Sequence, residues 1–369
     1  MDRRTLIRLA ASSGAALAAG AVTGGPAQAA PAASARSGSR SAPAASARSG
    51  DRSTVAADGS GDFVSIQAAV DAVPAGRTER FTINVEPGTY PGQVIIPADK
   101  PNILLRGRGT RPEQVVITDD RANGTPRPDG GTWGTSGSAS VTVDGAGFAA
   151  RNLTFGNSFD EAAHPEITGR QAVAVLTRAD RIEFDTVRFL GNQDTLYLNS
   201  RAADVPARIY LRRCYVEGDV DFIFGRGTAA FDRCRIHALD RGSATNNGYV
   251  TAPSTSITNP YGLLFAGCAF TSDAPAASVY LGRPWHPSQD PNAIGQTVIR
   301  DSWLGAHVGP TPWSDFGTWP WRDARFAEYH NWGPGALVTP DRPQLTREEA
   351  AGLTVAAFLA GADGWSPQC

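Results

Sequence analysis

The apolar positions of the chain recur in short runs that are typical of β-strands. From Val55 onward these runs alternate with Gly, Asn and Asp, a pattern that predicts many short strands joined by turns. Only two stretches, residues 65–74 and 346–361, have the apolar spacing of helices. The sequence therefore predicts an all-β domain with short flanking helices.

The β-rich part contains a repeat of the form apolar, two variable, apolar or Cys, one variable, apolar. Its copies lie at Ala150/Leu153/Phe155, Phe184/Val187/Phe189, Leu211/Cys214/Val216, Phe231/Cys234/Ile236, Phe265/Cys268/Phe270 and, in degenerate form, Ile299/Ser302/Leu304. The central positions are 34, 27, 20, 34 and 34 residues apart. This spacing is too irregular for a propeller but suits coils with loops of variable length. We therefore expect a parallel β-helix, whose coils stack at roughly 4.8 Å.

Three cysteines share one position of this repeat. Cys214, Cys234 and Cys268 are central residues of successive copies, so their side chains should stack. A separation of one rung is within the Cα range of a disulfide, and export would favour a Cys214–Cys234 bridge. A ladder of three reduced thiols is the alternative, and the sequence leaves it open. No zinc site is expected at Cys369, because the chain has no CxxC motif or clustered His.

The same register aligns two acids and a base. Asp194, Asp221 and Arg241 each follow a central position by seven residues, so stacked coils would place them on one face as acid, acid, base. Two carboxylates one rung apart repel, and one should hold its proton near neutrality. An isolated Asp is commonly a turn residue, but the shared register and the apolar neighbours favour a catalytic pair. Asp119 and Asp120 lack such neighbours and are expected at a turn or on the surface.

The first 54 residues predict export. Residues 1–29 combine Arg3 and Arg4, a short apolar run and a small-residue cleavage site after Ala29, which indicates a signal of the twin-arginine type. Residues 30–54 contain a duplicated segment of Ala, Ser, Arg, Gly and Pro, typical of a disordered linker. We expect a secreted protein without a membrane anchor after signal removal, with residues 55–369 as the β-helix catalytic domain.

Charge narrows the choice of partners. From Val55 onward, 27 basic and 34 acidic residues give a net charge of about −7, which argues against a nucleic-acid partner. Lys100 is the only lysine beside 33 arginines, and the guanidinium fork suits carboxylate recognition. We expect a monomer that uses no metal and no cofactor.

Four motifs, in this order and spacing, resemble those of the pectin methylesterase family. They are "QAVAV" (171–175), "GNQDTLY" (191–197), "VDFIFG" (220–225) and "LGRPW" (281–285). The likeness extends over nearly the whole domain, from "VAADGSGDF" at Val55 to the terminal "FLAGADGW". The resemblance implies a right-handed parallel β-helix. It also implies hydrolysis of the C6 methyl esters of pectin, with release of methanol.

The resemblance also implies the roles of individual residues. Asp221 matches the nucleophile of the family and Asp194 matches its general acid and base. Gln171 and Gln193 match the amides that stabilise the oxyanion. Arg283 matches the arginine that pairs with the nucleophilic carboxylate.

A polymeric uronate also needs rings for its sugar faces and cations for its carboxylates. Trp285 matches a ring of the family that contacts substrate, and Tyr197 and Phe224 are further candidates. Ser140 stands where the family often has a substrate-binding Thr, and Arg241 is a candidate contact for a demethylated unit. Three more rings are candidate groove walls or core residues: Trp313, Trp319 and Trp321.

Two other functions stay open at this point. A glycoside hydrolase similar to polygalacturonases also uses carboxylates on a β-helix, but it would not need two Gln amides at the oxyanion. A non-catalytic β-helix that binds wall polysaccharide would use the acids only as turns. The chain has no GxSxG motif, so it lacks the usual signature of a serine hydrolase.

Overall fold

The folded part of the chain begins slightly earlier than the sequence suggests. The structure is a computed structural model that describes residues 50–368, so the expected export signal and most of the expected linker lie outside the described residues. Arg52–Val55 forms the first strand, β1, and pairs with the strand Phe81–Val85. The expected linker boundary is therefore wrong by three residues, because strand pairing fixes this segment in the sheet.

The strands of the described residues form three ladders, each running along the length of the molecule. The first contains β1, β2 (Phe81–Val85), β5 (Ile103–Gly107), β8 (Ala149–Asn157), β10 (Ile182–Leu190), β12 (Arg208–Arg212), β15 (Thr228–Asp232), β18 (Leu263–Ala266), β21 (Gln296–Arg300) and β23 (Arg325–Tyr329). The long strands β8 and β10 continue into the second, which contains β3 (Gly88–Pro91), β6 (Val115–Asp119), β13 (Tyr215–Gly218), β16 (Arg235–Ala238), β19 (Ala269–Ser272) and β22 (Trp303–Leu304).

The third ladder is a separate sheet and carries the site described below. It contains β4 (Val94–Ile96), β7 (Val141–Val143), β9 (Val175–Thr177), β11 (Leu196–Leu198), β14 (Val220–Gly225), β17 (Gly248–Pro253) and β20 (Val279–Gly282). Every pairing between these named strands is parallel. The expected parallel β-helix is confirmed.

Helices are short and lie outside the ladders. They are α1 (Ile66–Ala72), α2 (Gly134–Gly137), α3 (Arg347–Ala351) and α4 (Val355–Ala360). The two stretches with helical spacing in the sequence correspond to α1 and to the pair α3 and α4, whereas α2 was not expected. No helix among residues 50–368 has the length and apolar character needed to span a membrane.

The repeat read from the sequence is the register of the coils. Phe184 pairs with Ala150 in the coil before it and with Leu211 in the coil after it, and Leu211 pairs in turn with Phe231. A backbone feature accompanies each copy, because the residue before every central position has a positive φ of 49–63°. These corner residues are Asn152, Thr186, Arg213, Arg233, Gly267 and Asp301. Their side chains differ, so the corner is conserved among the coils as a backbone conformation.

The cysteines form a ladder of free thiols. Cys214, Cys234 and Cys268 are buried and unbridged, and each Sγ donates a hydrogen bond to a carbonyl oxygen of the preceding coil at 3.4–3.5 Å. The expected Cys214–Cys234 disulfide is not formed. Parallel stacking points the Cβ atoms in the same direction, whereas a disulfide needs them to converge. Burial raises the pKa of the Cys234 thiol well above its usual value.

The last coil is fastened by a buried ion pair. Arg342 donates from Nε and Nη2 to the two carboxylate oxygens of Glu328, at 2.9 and 2.6 Å, and from Nη1 to the Gly335 carbonyl at 2.5 Å. Both side chains are buried. Since each charge has a partner with good geometry, loss of either one would leave an uncompensated charge in the interior.

Glu328→Ala should therefore destabilise the domain by about 3–5 kcal/mol, measured as the free energy of unfolding in urea. Asp129→Ala is the matched control, because it removes the acid of the exposed Arg127–Asp129 pair. The control should leave the unfolding midpoint unchanged, since an exposed pair is screened by water. Equal effects of the two substitutions would contradict the stabilising role of the buried pair.

Candidate active site

Two aspartates lie side by side on the third ladder. Leu196 of β11 pairs with Ile223 of β14, and the same register carried back two residues places Asp194 beside Asp221. The Asp194 amide donates to the Val220 carbonyl at 3.0 Å. Each carboxylate residue is only 7% exposed. The structure thus brings together the two acids that the spacing of the sequence aligned.

Both aspartates have an unusual backbone conformation. Asp194 has a φ of 66° and Asp221 a φ of 50°, which is the left-handed region that residues with a Cβ seldom adopt. The pairing of β14 with β17 also shifts between Val220 and Ile223. Such irregularities redirect a side chain and are common at functional sites. Asp221 lies at this irregularity within β14, and Asp194 lies two residues before β11 begins.

Arg283 holds one of the two carboxylates. It follows β20, and its Nε and Nη2 donate to Oδ1 and Oδ2 of Asp221 at 2.8 and 2.7 Å. The guanidinium also lies 3.8 Å from the Tyr249 ring centroid and 4.5 Å from that of Phe316. Sequence reasoning missed these two rings, because Phe316 lies outside the regular strands and Tyr249 follows an insertion. The rings and the ion pair together fix the orientation of the arginine.

The two acids have different electrostatic environments. Burial raises the pKa of Asp194 well above its usual range, and the charge of Asp221 raises it further. Burial also raises the pKa of Asp221, but the hydrogen bonds and charge of Arg283 oppose this rise. These opposing effects favour Asp194 as the acid that keeps a proton and Asp221 as the acid that ionises first.

Arg241 does not stack on Asp194 and Asp221 in the next rung, as the spacing of the sequence predicted. It lies in the loop between β16 and β17, and the insertion in this loop means that β17 supplies the next rung after Asp221. Its Nε is 3.7 Å from Oδ2 of Asp219, and its side chain is well exposed. The expected order of acid, acid, base is thus wrong in its third member. The cation that pairs with Asp221 is Arg283, which follows β20, one coil beyond β17.

The two glutamines lie in adjacent coils next to the acids. The Ala172 amide donates to the Gln193 carbonyl at 3.1 Å, which places Gln171 and Gln193 in neighbouring rungs. The side-chain oxygen of Gln171 accepts from Nδ2 of Asn123 at 3.0 Å. Because its oxygen is occupied, Gln171 has its NH₂ group available for a ligand.

Asn123 is a site residue that the sequence did not reveal. It lies between β6 and α2, and its own backbone amide also donates to the Gln171 carbonyl at 2.7 Å. Its Nδ2 makes a further contact to the Thr135 hydroxyl at 3.3 Å. Asn123 therefore fixes both the backbone and the side-chain amide of Gln171.

Three aromatic residues form a platform beside the acids. The Tyr197 and Phe224 rings stack with centroids 4.1 Å apart, and the Trp285 ring meets them edge-on at 6.1 and 5.6 Å. The three rings form a cluster separate from the main core, on the outer side of the sheet. We call Tyr197, Phe224 and Trp285 the aromatic platform.

Ser140 is an interior residue. It is fully buried, and its hydroxyl accepts from the Asp119 amide at 3.0 Å. Its expected contact with substrate does not agree with this position, because the hydroxyl bonds the neighbouring strand. The Asp119 carboxylate lies 3.2 Å from Nε of Arg121 at the end of β6, and Asp120 is exposed. The second acid pair thus lies at the end of a strand.

The three further tryptophans differ in position. Trp313 is 3% exposed and stacks on Phe326 at 4.5 Å, so it belongs to the core. Trp319 stacks on His286 at 3.8 Å and is half-buried. Trp321 is also half-buried and packs against the Arg322 guanidinium. Of the three candidate groove walls, Trp313 is therefore excluded by its burial.

Several known proteins resemble this chain in sequence over most of its length. The sequence model of the family described as pectinesterase matches residues 52–362. Pectinesterase A of Dickeya chrysanthemi is 36% identical over 341 residues, which cover 83% of this chain and 88% of that protein. This chain belongs to the pectinesterase family. Pectinesterase 31 of Arabidopsis thaliana is 39% identical over 312 residues, covering 82% of this chain and 90% of that protein.

Solved structures agree with this assignment. A pectin methylesterase in complex with a hexasaccharide superposes with a TM-score of 0.77 at 34% identity, covering 86% of this chain and 98% of that one. The pectin methylesterase from carrot has a TM-score of 0.72 at 31% identity, covering 86% and 95%. The family resemblance read from the four motifs is confirmed. Membership places the chain among the carboxylic ester hydrolases.

The raised pKa of Asp194 has a consequence for stability. A carboxyl group whose pKa is raised by folding stabilises the protein fully only below its unfolded pKa, near 4, and this contribution is lost as the pH rises toward the folded pKa.

The side chain of the Asp194→Asn variant does not titrate. Its free energy of unfolding should match that of the wild type near pH 4 and exceed it at neutral pH, in urea titrations at both pH values. Asp120→Asn, at an exposed position, is the control and should follow the wild type. A variant that is less stable than the wild type at neutral pH would contradict the buried, protonated state of Asp194.

Proposed function

We propose that this chain hydrolyses the C6 methyl esters of pectin, with Asp221 as the nucleophile and Asp194 as the proton donor. The observation that supports this most directly is the difference between the partners of the two acids. Asp221 is paired bidentately with Arg283, whereas Asp194 is buried without a guanidinium of its own among the hydrogen bonds of residues 50–368. One carboxylate is thus available as an anion, and the other carries a proton.

In the first step an Asp221 oxygen attacks the ester carbonyl carbon. The oxyanion that forms accepts hydrogen bonds from the NH₂ groups of Gln171 and Gln193. The C6–methoxy bond then breaks, and Asp194 passes its proton to the departing methoxide oxygen. The products of this step are methanol and an anhydride between the uronate and Asp221.

In the second step water hydrolyses the anhydride. Asp194, now a carboxylate, takes a proton from water as the water oxygen attacks C6. The bond between C6 and the Asp221 oxygen breaks, and Arg283 stabilises the carboxylate that leaves. The new uronic acid loses its proton to solvent, so both aspartates regain their starting states.

The surroundings of the two acids suit a polymeric substrate. The aromatic platform offers ring faces for sugar units, and Arg241 is a candidate contact for a demethylated unit. Pectin lies outside the cell that would make this protein, which agrees with the export signal predicted over residues 1–29. We include secretion and a monomeric state in the proposal.

The alternatives differ in their products. A glycosidase would need one carboxyl group to protonate a glycosidic oxygen, and it would have no use for an amide held with its NH₂ group toward the ligand, as Asn123 holds Gln171. A glycosidase would release new reducing ends, and a binding protein would release neither reducing ends nor methanol. Methanol release from highly esterified pectin therefore separates the three functions.

The wild type should release methanol from such pectin, and Asp221→Asn should lower kcat by about 10³-fold or more, because the nucleophile is lost. Binding of pectin by the variant should persist. Asp120→Asn is the matched control and should retain wild-type activity. Near-normal turnover by Asp221→Asn would exclude this residue as the nucleophile, and reducing ends without methanol would favour the glycosidase.

Substitutions at Asn123 test the oxyanion amide. Asn123→Ala should lower kcat by about tenfold with a smaller change in KM, since Gln171 loses the group that orients it. Asn123→Asp should lower kcat further, because a carboxylate accepts hydrogen bonds and would turn the Gln171 NH₂ group away from the ester. Steady-state methanol release gives both constants. A purely structural role of Asn123 would instead lower the amount of folded enzyme and leave kcat per folded molecule unchanged.

A further inference from the structure

A row of polar residues lies just beyond the aromatic platform. Arg178, Asn199 and Arg226 directly follow the last residues of β9, β11 and β14. The Asn199 amide donates to the Thr177 carbonyl at 3.0 Å, so the parallel register continues to this point. Two positions before them stand Leu176, Tyr197 and Phe224, which belong to the same cluster as the aromatic platform. Alternation along a strand places Arg178 and Asn199 on the outer side with that cluster, and the charge of Arg226 acts on the Tyr197 hydroxyl of the same cluster. We call Arg178, Asn199 and Arg226 the polar row.

The two arginines of the polar row differ in their partners. Arg178 donates from Nε and Nη2 to the two carboxylate oxygens of Asp144, both at 2.8 Å. Arg226 has neither an ion pair nor a side-chain hydrogen bond with any part of residues 50–368, and its buried Nε has no acceptor. The buried side-chain oxygen of Asn199, between the two arginines, has no donor either.

Arg226 is close to the aromatic platform. Its charge and that of Arg178 act on the Tyr197 hydroxyl and oppose the rise in the pKa of Tyr197 that burial causes. Arg226 is half-buried, in a domain with a net charge of about −7 from Val55 onward. A partly desolvated cation without an acid partner is costly, and its guanidinium fork matches a carboxylate.

We propose that Arg226 binds the free carboxylate of an already demethylated galacturonate unit while another unit of the same chain lies at Asp221. This inference rests on the proposed function. Arg226 follows Asp221 by five residues, so their backbones are at most roughly 17 Å apart, and the two side chains contact different sugar units. Arg226 thereby favours substrate that already carries a free carboxylate near the ester to be cleaved.

The test measures binding without turnover. In an Asp194→Asn background, isothermal titration calorimetry compares two oligogalacturonates of equal length, one fully demethylated and one fully methylesterified. Arg226→Gln should weaken binding of the demethylated ligand by about tenfold, the loss expected for one charge-assisted pair, and leave the methylesterified ligand unaffected. Arg226→Lys keeps the charge and should restore part of the affinity. Arg178→Gln is the matched control in the same row and should not discriminate between the ligands, because that guanidinium already has Asp144.

Two outcomes would overturn the proposal. In the first, Arg226→Gln weakens the binding of both ligands equally, which would mean that Arg226 only packs against the sugar chain. In the second, it weakens the binding of neither ligand. Thermal unfolding of each variant shows that the comparison is between folded proteins. Neither ligand has to react, so the result stands even if the wild type releases no methanol from pectin. Failure of the ester hydrolysis and failure of the carboxylate contact are therefore separate results.

Discussion

The parallel hydrogen bonding between successive coils determines where every side chain of the site lies. A rung separates neighbouring strands by roughly 4.8 Å, so residues far apart in sequence become neighbours whenever their positions within the coil agree. Asp194 and Asp221 are an example, since 27 residues of chain separate them while their strands pair directly. The distance between the two acids is therefore a property of the backbone. Their side chains add the chemistry.

The chemical difference between the acids comes from the coils around them. β20 brings Arg283 to Asp221, and the rings of Tyr249 and Phe316 hold the guanidinium in place. Asp194 receives no comparable partner, and burial next to the Asp221 charge raises its pKa. Two identical residues thus lie in different electrostatic surroundings, which is the arrangement that lets a pair of carboxyl groups divide the roles of acid and anion.

Much of this could be predicted from the sequence, because a stacked fold turns spacing along the chain into distance in space. The repeat identified the coils, and the offset from its central position identified Asp194 and Asp221. The same counting failed for Arg241, since an insertion before β17 moved it off the rung. It also could not orient the Cβ atoms of Cys214 and Cys234, which decides between a bridge and a thiol ladder. Asn123 acts from a loop outside the repeat, where no periodicity points to it.

The ion pair between Glu328 and Arg342 stabilises the end of the β-helix at which loss of activity would begin. Folds built from stacked coils begin to unfold at their ends, because a terminal coil packs against only one neighbouring coil. Phe316, which packs on Arg283, belongs to the segment next to the last coil, and that segment bridges to β20 at Gly282 and Trp313. Fraying of this end would release the arginine from its ring while most strands stayed paired. Heat inactivation would then begin at the C-terminal end of the helix, at temperatures below those that melt its middle coils.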